Sequence, residues 1–209
     1  MPRKARAKSL YSVHPGVKMV QDWIVSLPEK TGRTLEQWLA LIKKEGPPTE
    51  KERREWLKAK YQFGTNNAWW LAERAEGKRS EDSDPEAYLQ AAEKYVEDMF
   101  AGSKAGLKPI YDALLELGLG VADDVMACPC KTIVPFYRNH VFAQIKPTTR
   151  TRIDMGYALK DAKPTGRLID TGGYAKKDRI THRIPISSLD DIDGEVKKWL
   201  KKAYDMDAK

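Results

Sequence analysis

In the first third of the chain, apolar residues recur every three to four positions, and this spacing predicts short helices. Two capping boxes, Thr34-Leu35-Glu36-Gln37 and Thr49-Glu50-Lys51-Glu52, mark helix starts, because a threonine and a Glu or Gln three residues later satisfy the free amides there. Gly64 separates the third helix from a fourth. We therefore predict a four-helix module over residues 13–76, whose first helix, over about residues 17–27, has its apolar stripe at Val17, Val20, Ile24 and Leu27.

After about residue 125 the apolar positions alternate with polar ones, as expected of half-buried strands. Residues 87–209 are predicted to form one α+β domain, with an antiparallel sheet and helices packed on one of its faces. Its predicted elements are helices over about 87–100 and 104–118, strands over 141–146 and 151–157, shorter strands over 167–169 and 180–186, and a closing helix over about 189–204.

Two polar segments flank the helical module. Residues 1–12 form a basic arm that we expect to be disordered, and GKRSEDSDPE, residues 77–86, has the composition of a linker. The basic start lacks a following apolar segment and so does not match a secretory signal, and no apolar run approaches the roughly 18 residues that a membrane span needs. We expect a cytoplasmic protein with no membrane partner.

Charge is unevenly distributed along the chain. The total is +7, but residues 1–80 carry +8, residues 81–125 carry −8 and residues 126–209 carry +7. Clustered Lys and Arg raise affinity for phosphate backbones, so the two basic blocks favour an anionic partner. The alternative is an ordinary solvated surface on either side of an acidic helical pair.

Several long motifs resemble known families. SVHPGVKMVQDWI, TGRTLEQWLALIKKEGPPTEKERREWL and GTNNAWWLAERA resemble a small bacterial helical family of unknown function. CPCKTIVPFYRNHVFAQIKPTTRTRIDMGYAL, GRLIDTGG and DRITHRIPI resemble a second bacterial domain of unknown function, often fused after the first. The second half is also similar to small α+β proteins of the MmcQ/YjbR type, in which helices pack on one face of an antiparallel sheet. These resemblances imply two domains and carry no assigned activity.

The chain has only two cysteines, Cys128 and Cys130, separated by Pro129. A zinc site needs three or four Cys or His ligands, usually from two short-spaced pairs, and here no second pair exists. A redox pair normally has two intervening residues at a helix start. We therefore predict buried, unreactive thiols on a strand, and we expect no metal and no cofactor. His182, among isoleucines, is predicted to be a core-edge histidine satisfied by a hydrogen bond.

The strongest candidate site is the polar face of the predicted sheet. Residues 131–183 hold 12 Lys and Arg against 4 Asp, interleaved with aromatic rings that could stack on bases. Strand alternation places His140, Phe142 and Lys146 on one face, and the turn at Gly172 and Gly173 could offer amides to an anion. The candidate anion-binding residues are Tyr137, Arg138, His140, Phe142, Lys146, Arg150, Arg152, Asp154, Gly172, Gly173, Lys176, Lys177 and Arg179.

The helical module contains a weaker candidate site. Its third and fourth helices are spaced like a helix-turn-helix unit, which would place Thr65, Asn66 and Asn67 at the start of a DNA-reading helix. Few basic residues lie on that helix, and Trp69 and Trp70 are predicted to be core residues. A plain four-helix module is the favoured interpretation.

Together these observations predict a non-enzymatic protein that binds an anionic ligand, foremost nucleic acid, through the basic sheet face. One alternative is a small-molecule site or an enzyme on the same face, which a deep pocket lined by His140, Arg152 and Asp154 would indicate. Another is a protein-interaction module formed by the helical half. No catalytic residue is assigned.

Overall fold

A computed structural model describes residues 9–208, which divide into two compact units. One unit is formed by residues 13–89, and the other by residues 9–12 together with 90–208. The α-helices of the described chain are α1 (Pro15–Thr31), α2 (Leu35–Glu45), α3 (Glu50–Tyr61), α4 (Thr65–Ala75), α5 (Pro85–Met99), α6 (Lys108–Leu119) and α7 (Gly194–Met206). The strands are β1 (Met126–Ala127), β2 (Val134–Tyr137), β3 (Val141–Pro147), β4 (Ile153–Tyr157), β5 (Ile169–Asp170) and β6 (His182–Ile186).

The helical unit forms as its sequence signals predict. Both capping boxes are present, at Thr34 and Thr49, where α2 and α3 begin. Helix α1 continues four residues beyond its predicted end, because Gly32 adopts a left-handed conformation and donates its amide to the carbonyl of Pro28. Trp38 lies fully buried in the core of this unit, and its indole N–H donates to Thr31 Oγ1 at 2.8 Å.

The segment predicted to be a linker, residues 77–86, contains a short 3-10 helix at Ser80–Asp82. Arg79 forms ion pairs with Glu73 and Asp82, and the indole N–H of Trp70 donates to Asp82 at 3.1 Å. These contacts join the segment to α4.

Residues 9–12, the described part of the predicted disordered arm, belong to the second unit. The hydroxyl of Tyr11 hydrogen-bonds to that of Tyr111 at 2.9 Å, and the amide of Ser12 donates to the carbonyl of Ala127. The rest of that arm, residues 1–8, lies outside the described residues.

The second unit is built on a six-stranded antiparallel sheet with the strand order β1-β2-β3-β4-β6-β5. One face of the sheet packs against α6 and α7, and its fully buried side chains include Phe136, Ile145, Met155 and Ile184. Helix α7 begins five residues later than predicted, because Ser188 caps a separate 3-10 turn at Leu189–Asp191 before Asp193 caps the helix itself. The predicted α+β fold class is confirmed.

Helix α6 packs closely on the sheet at one glycine. The ring of Phe136 in β2 occupies the space where a side chain at Gly118 would begin. A helix interior normally disfavours glycine, so this residue is explained by close packing rather than by backbone conformation. Within the described chain, no helix is both long enough and apolar enough to cross a membrane.

Candidate anion-binding site

On the sheet face predicted to be basic, one carboxylate binds two of the arginines. Asp154 lies opposite Lys146 in the register of β3 and β4 and is buried. Its carboxylate accepts a hydrogen bond from Thr148 at 2.8 Å and one from Arg183 at 2.9 Å, and Arg152 Nε lies 3.0 Å away. The two arginines therefore have a partner within the protein, and their charge is less available to a ligand.

Phe142 is wrongly predicted as an accessible ring on this face. A β-bulge shifts the register between Phe136 and Tyr137, so that Tyr137 pairs with Val141 and Phe136 with Ala143, leaving Phe142 as the extra residue. A bulge interrupts the alternation of faces. Phe142 is consequently fully buried in the core, with its ring centre 5.5 Å from that of Tyr204 in an edge-to-face arrangement.

Arg138 has partners of its own in the chain. Its guanidinium stacks 4.2 Å from the ring centre of Tyr204, and its Nε donates to Asp124 at 3.0 Å. The Tyr204 hydroxyl also donates to Asp124, at 2.7 Å. This hydrogen bond lowers the pKa of the Asp124 carboxyl, with help from Arg138, and raises the pKa of Tyr204, although the charge of Arg138 opposes that second shift. Arg138 is thus a structural cation that anchors the end of α7.

His140 and Arg179 converge on a second carboxylate, Asp207, which follows α7 and is buried. One oxygen of Asp207 accepts the backbone amides of Asn139 and His140, at 3.0 and 2.8 Å. The other lies 3.2 Å from His140 Nδ1 and accepts a hydrogen bond from Arg179. Arg179 Nε also donates to the carbonyl of Val141 at 2.7 Å. The imidazole of His140 is held at one nitrogen, while 66% of its side chain stays exposed.

Two adjoining cavities beside Asp207 form what we call the lysine groove. Their volumes are ≈ 560 and ≈ 620 Å³, and both are lined by Lys160 and Met206. The other lining residues are Ala158, Tyr174, Ala175, Lys177, Asp178, Arg179, Thr181, Lys198, Lys201, Lys202, Asp205 and Asp207. Six basic and three acidic side chains give the groove a net charge of +3.

Four lysines of this groove are not neutralised by a described carboxylate. Lys201 pairs with Asp205, and Arg179 pairs with Asp207. No such ion pair is formed by the remaining cations, which are Lys160, Lys177, Lys198 and Lys202. Uncompensated lysines facing one concave surface raise the local positive potential, which attracts anions.

Two of these lysines have an unusual backbone conformation. Lys160 has φ 55° and Lys177 has φ 61°, both in the left-handed region that favours glycine. A residue with a Cβ pays about 1 kcal/mol or more to adopt that conformation. Such strain is often found at functional sites. The chain thus carries a lysine at two turn positions where glycine would fit with less strain.

The loop of residues 171–179 forms one wall of the groove. Its Gly173 approaches the next segment so closely that a Cβ there would lie 2.6 Å from the carbonyl oxygen of Ile180. The Gly172 amide, predicted as an anion donor, already donates to Asp170 Oδ1 at 2.7 Å. The loop displays the ring of Tyr174, which is 56% exposed.

The predicted anion-binding residues fall into three groups in the structure: those at the lysine groove, those on or beside the sheet, and Phe142 in the core. Of these residues, only Lys177 and Arg179 line the lysine groove. His140 contacts Asp207, which also lines the groove, and Gly172, Gly173 and Lys176 belong to the loop that forms one of its walls. Residues on or beside the sheet are Tyr137, Arg138, Lys146, Arg150, Arg152 and Asp154. The α7 lysines were missed, although the paired lysines 197–198 and 201–202 repeat at helical spacing and could have indicated a basic stripe.

Neither cavity of the lysine groove resembles the enzyme pocket considered from the sequence. Neither cavity of the groove is lined by His140, Arg152 or Asp154. His140 contacts Asp207, whereas Asp154 contacts Arg152 and Arg183. His182 is buried, with Nδ1 2.8 Å from Thr181 Oγ1 and Nε2 2.8 Å from the carbonyl of Ala162, in agreement with the sequence-based interpretation.

The cysteines form no disulfide and lie after β1, not on a strand as predicted. Cys128 is fully buried and Cys130 is half-buried. Burial raises the pKa of the Cys128 thiol to about 12 and also raises the pKa of Cys130, so both thiols stay protonated at neutral pH. In residues 9–208, no three His, Cys, Asp or Glu side chains are grouped so that they could hold a metal ion.

The weaker candidate lies at the start of α4. Thr65 and Asn66 are exposed there and Asn67 is half-buried. Trp70 is buried as predicted, but the prediction for Trp69 is wrong. Its ring is 37% exposed and is covered by Arg79, whose guanidinium carbon lies 4.1 Å from the ring centre.

The fold and the groove together define a protein with a helical unit and an α+β unit that carries a basic groove. Residues 96–207 match the family model described as Domain of unknown function (DUF5655), and residues 20–76 match Domain of unknown function (DUF4287). The first match covers more than half of the chain, which therefore belongs to the DUF5655 family. The predicted resemblance to two fused domains of unknown function is confirmed.

No curated protein and no solved structure matches the chain. The similarity to proteins of the MmcQ/YjbR type is not tested by these comparisons and stays a prediction.

Proposed function

We propose that the α+β unit is a nucleic-acid-binding module whose contact surface is the lysine groove rather than the sheet face. The observation that carries the proposal is the set of four lysines without carboxylate partners along one concave surface. This arrangement favours sequence-independent binding to nucleic acid, because lysines contact phosphates and release condensed counterions. The sheet arginines contribute less, since Asp154 binds them.

The backbone strain at Lys160 and Lys177 also supports the lysine groove as the contact surface. A turn that only had to close could use glycine at both positions, so we attribute the two lysines to their charge. Cys128 and Cys130 form no disulfide, which suits a reducing compartment, and we include a cytoplasmic location in this proposal.

The test is fluorescence polarisation with labelled 12-nucleotide RNA and DNA strands and with a duplex of equal length, titrated from about 20 to 200 mM salt. We expect the logarithm of the affinity to fall linearly with the logarithm of the salt concentration. The slope should be about −0.7 for each phosphate neutralised on a single strand and about −0.9 on a duplex. Absence of binding to every form at low salt would overturn the proposal.

Two variants locate the surface. Lys198→Gln with Lys202→Gln removes two groove charges and keeps good helix formers, so the salt slope should become shallower by about 1.4 on a single strand. The matched control is Lys197→Gln with Lys131→Gln, because both of these lysines are exposed and neither lines the groove. Equal losses in the two double variants would mean that net charge, and not the groove, determines binding.

A small anionic ligand is the second candidate. It is favoured by the volumes of the two cavities, ≈ 560 and ≈ 620 Å³, which lie within the usual range of small-molecule pockets. Calorimetric titration with inorganic phosphate and with a mononucleotide tests this function. Saturable binding of either one, at an affinity equal to that of the 12-nucleotide strand, would favour the small ligand over the polymer.

A further inference from the structure

We infer that the lysine groove takes a single strand rather than a duplex, and that one unpaired base of the strand stacks on the ring of Tyr174. This inference rests on the proposed function and names its substrate class. It depends on the surroundings of Tyr174 rather than on the charge of the groove.

Tyr174 is an aromatic side chain with no described partner. More than half of its surface is exposed, no described ring packs on it, and its hydroxyl makes no hydrogen bond with a described residue. By contrast, the ring of Trp69, which is 37% exposed, is covered by Arg79. A large, uncovered ring on the rim of a concave surface is a suitable stacking platform, because every base has an apolar face.

Hydrogen bonds hold the loop that carries Tyr174. The amide and the hydroxyl of Thr171 both donate to the carbonyl of Thr181, at 3.0 and 2.9 Å. Within the loop, the amides of Lys176 and Asp178 donate to the carbonyl of Gly173, and the amide of Lys177 donates to the backbone carbonyl of Tyr174. The ring is therefore presented from an ordered turn, so little backbone freedom has to be lost when a base stacks on it.

The charges around Tyr174 fit a strand that runs through the groove. Lys160 and Lys177 line the same cavity as the ring, and Lys198 and Lys202 line the adjoining one. Phosphates can contact these cations while a base lies on the ring. In a duplex the base faces are stacked on one another, so the duplex offers its phosphates but no base for Tyr174.

The experiment compares three polyanions at one salt concentration: a 12-nucleotide single strand with 2-aminopurine at its centre, the matching duplex, and a polyphosphate of similar charge. Tyr174→Ser should weaken single-strand binding about 5- to 150-fold, the range expected for loss of one stacked base. Tyr174→Phe should retain it. The fluorescence of 2-aminopurine should decrease on binding to the wild-type protein and not on binding to Tyr174→Ser.

Leu189→Ser is the matched control, because Leu189 is similarly exposed in the same unit and does not line the groove. Polyphosphate binding should be the same in all variants. If Tyr174→Ser weakens strand and polyphosphate equally, or if the duplex binds as tightly as the strand, stacking is refuted while charge-driven binding stands. If none of the three polyanions binds, the proposed function itself is refuted.

Discussion

The two left-handed lysines give a prediction in which stability and binding should move in opposite directions. Replacing Lys160 and Lys177 with glycine removes both the strain and the charge at the same positions. If the lysines are kept for ligand binding, the double variant should be more stable than the wild-type protein and should bind nucleic acid less tightly.

The magnitude follows from two opposing terms. A residue with a Cβ pays roughly 1–2 kcal/mol in the left-handed region, whereas glycine loses about 0.4–1 kcal/mol more chain entropy on folding. The net gain is about 0.5 kcal/mol at each site, or about 1 kcal/mol for Lys160→Gly with Lys177→Gly. In a unit of this size, with an unfolding entropy of about 2.1 cal/mol/K per residue, that gain corresponds to a rise in Tm of about 4 °C.

Scanning calorimetry and the polarisation assay measure the two effects on the same sample. Lys176→Gly is the matched control for stability, because Lys176 precedes Lys177 and is not among the described residues with a positive φ, so the substitution should lower the Tm. If the double variant is destabilised as much as Lys176→Gly, the backbone at Lys160 and Lys177 is not strained in the wild-type protein. A variant that is stabilised and binds unchanged would show that the lysines do not serve the ligand.

Three further predictions concern the fold of the α+β unit. Gly118→Ala should lower the free energy of unfolding in urea by about 1–3 kcal/mol, because its Cβ overlaps the Phe136 ring, whereas Gly106→Ala, with open space around it, should be nearly neutral. The hydrogen bond from Tyr204 lowers the pKa of Asp124, so its stabilising effect should be present above about pH 4 and be lost as the pH falls through the lowered pKa. Tyr204→Phe should therefore flatten the decline of Tm between about pH 5 and pH 2, and parallel profiles would contradict this. With the pKa of Cys128 raised to about 12, native Cys128 should react with iodoacetamide at pH 7.5 over a thousandfold more slowly than in urea, and equal rates would contradict its burial.

Local patterns in the sequence predict much of the fold. The capping boxes at Thr34 and Thr49 act over three residues and appear as predicted, because all of their atoms belong to one helical turn. The change of apolar period near residue 125 likewise marks the start of the sheet. Signals of this kind are short-range and survive in any tertiary context that keeps the helix or strand.

The site was predicted less well, because its properties depend on partners far apart in the chain. Arg138 is neutralised by Asp124 and Arg179 by Asp207, carboxylates 14 and 28 residues away, and no alternation pattern reports such pairing. Phe142 was assigned to the wrong face because a single bulge reverses the parity of a strand. Which cations are free for a ligand can be read only from the folded chain.

The attachment of residues 9–12 to the second unit makes that unit discontinuous in sequence, with the helical unit inserted between its two segments. Burial raises the pKa of the Tyr111 hydroxyl, so this group stays protonated and needs the hydrogen bond that it shares with Tyr11. A fragment starting at residue 90 would leave that hydroxyl and the carbonyl of Ala127 without their partners, at a cost of about 1–3 kcal/mol for each buried group. The unit of folding is thus longer than the segment 96–207 matched by the family. Dissection of the protein into independent parts should therefore keep residues 9–12 with the second unit, rather than cut the chain once.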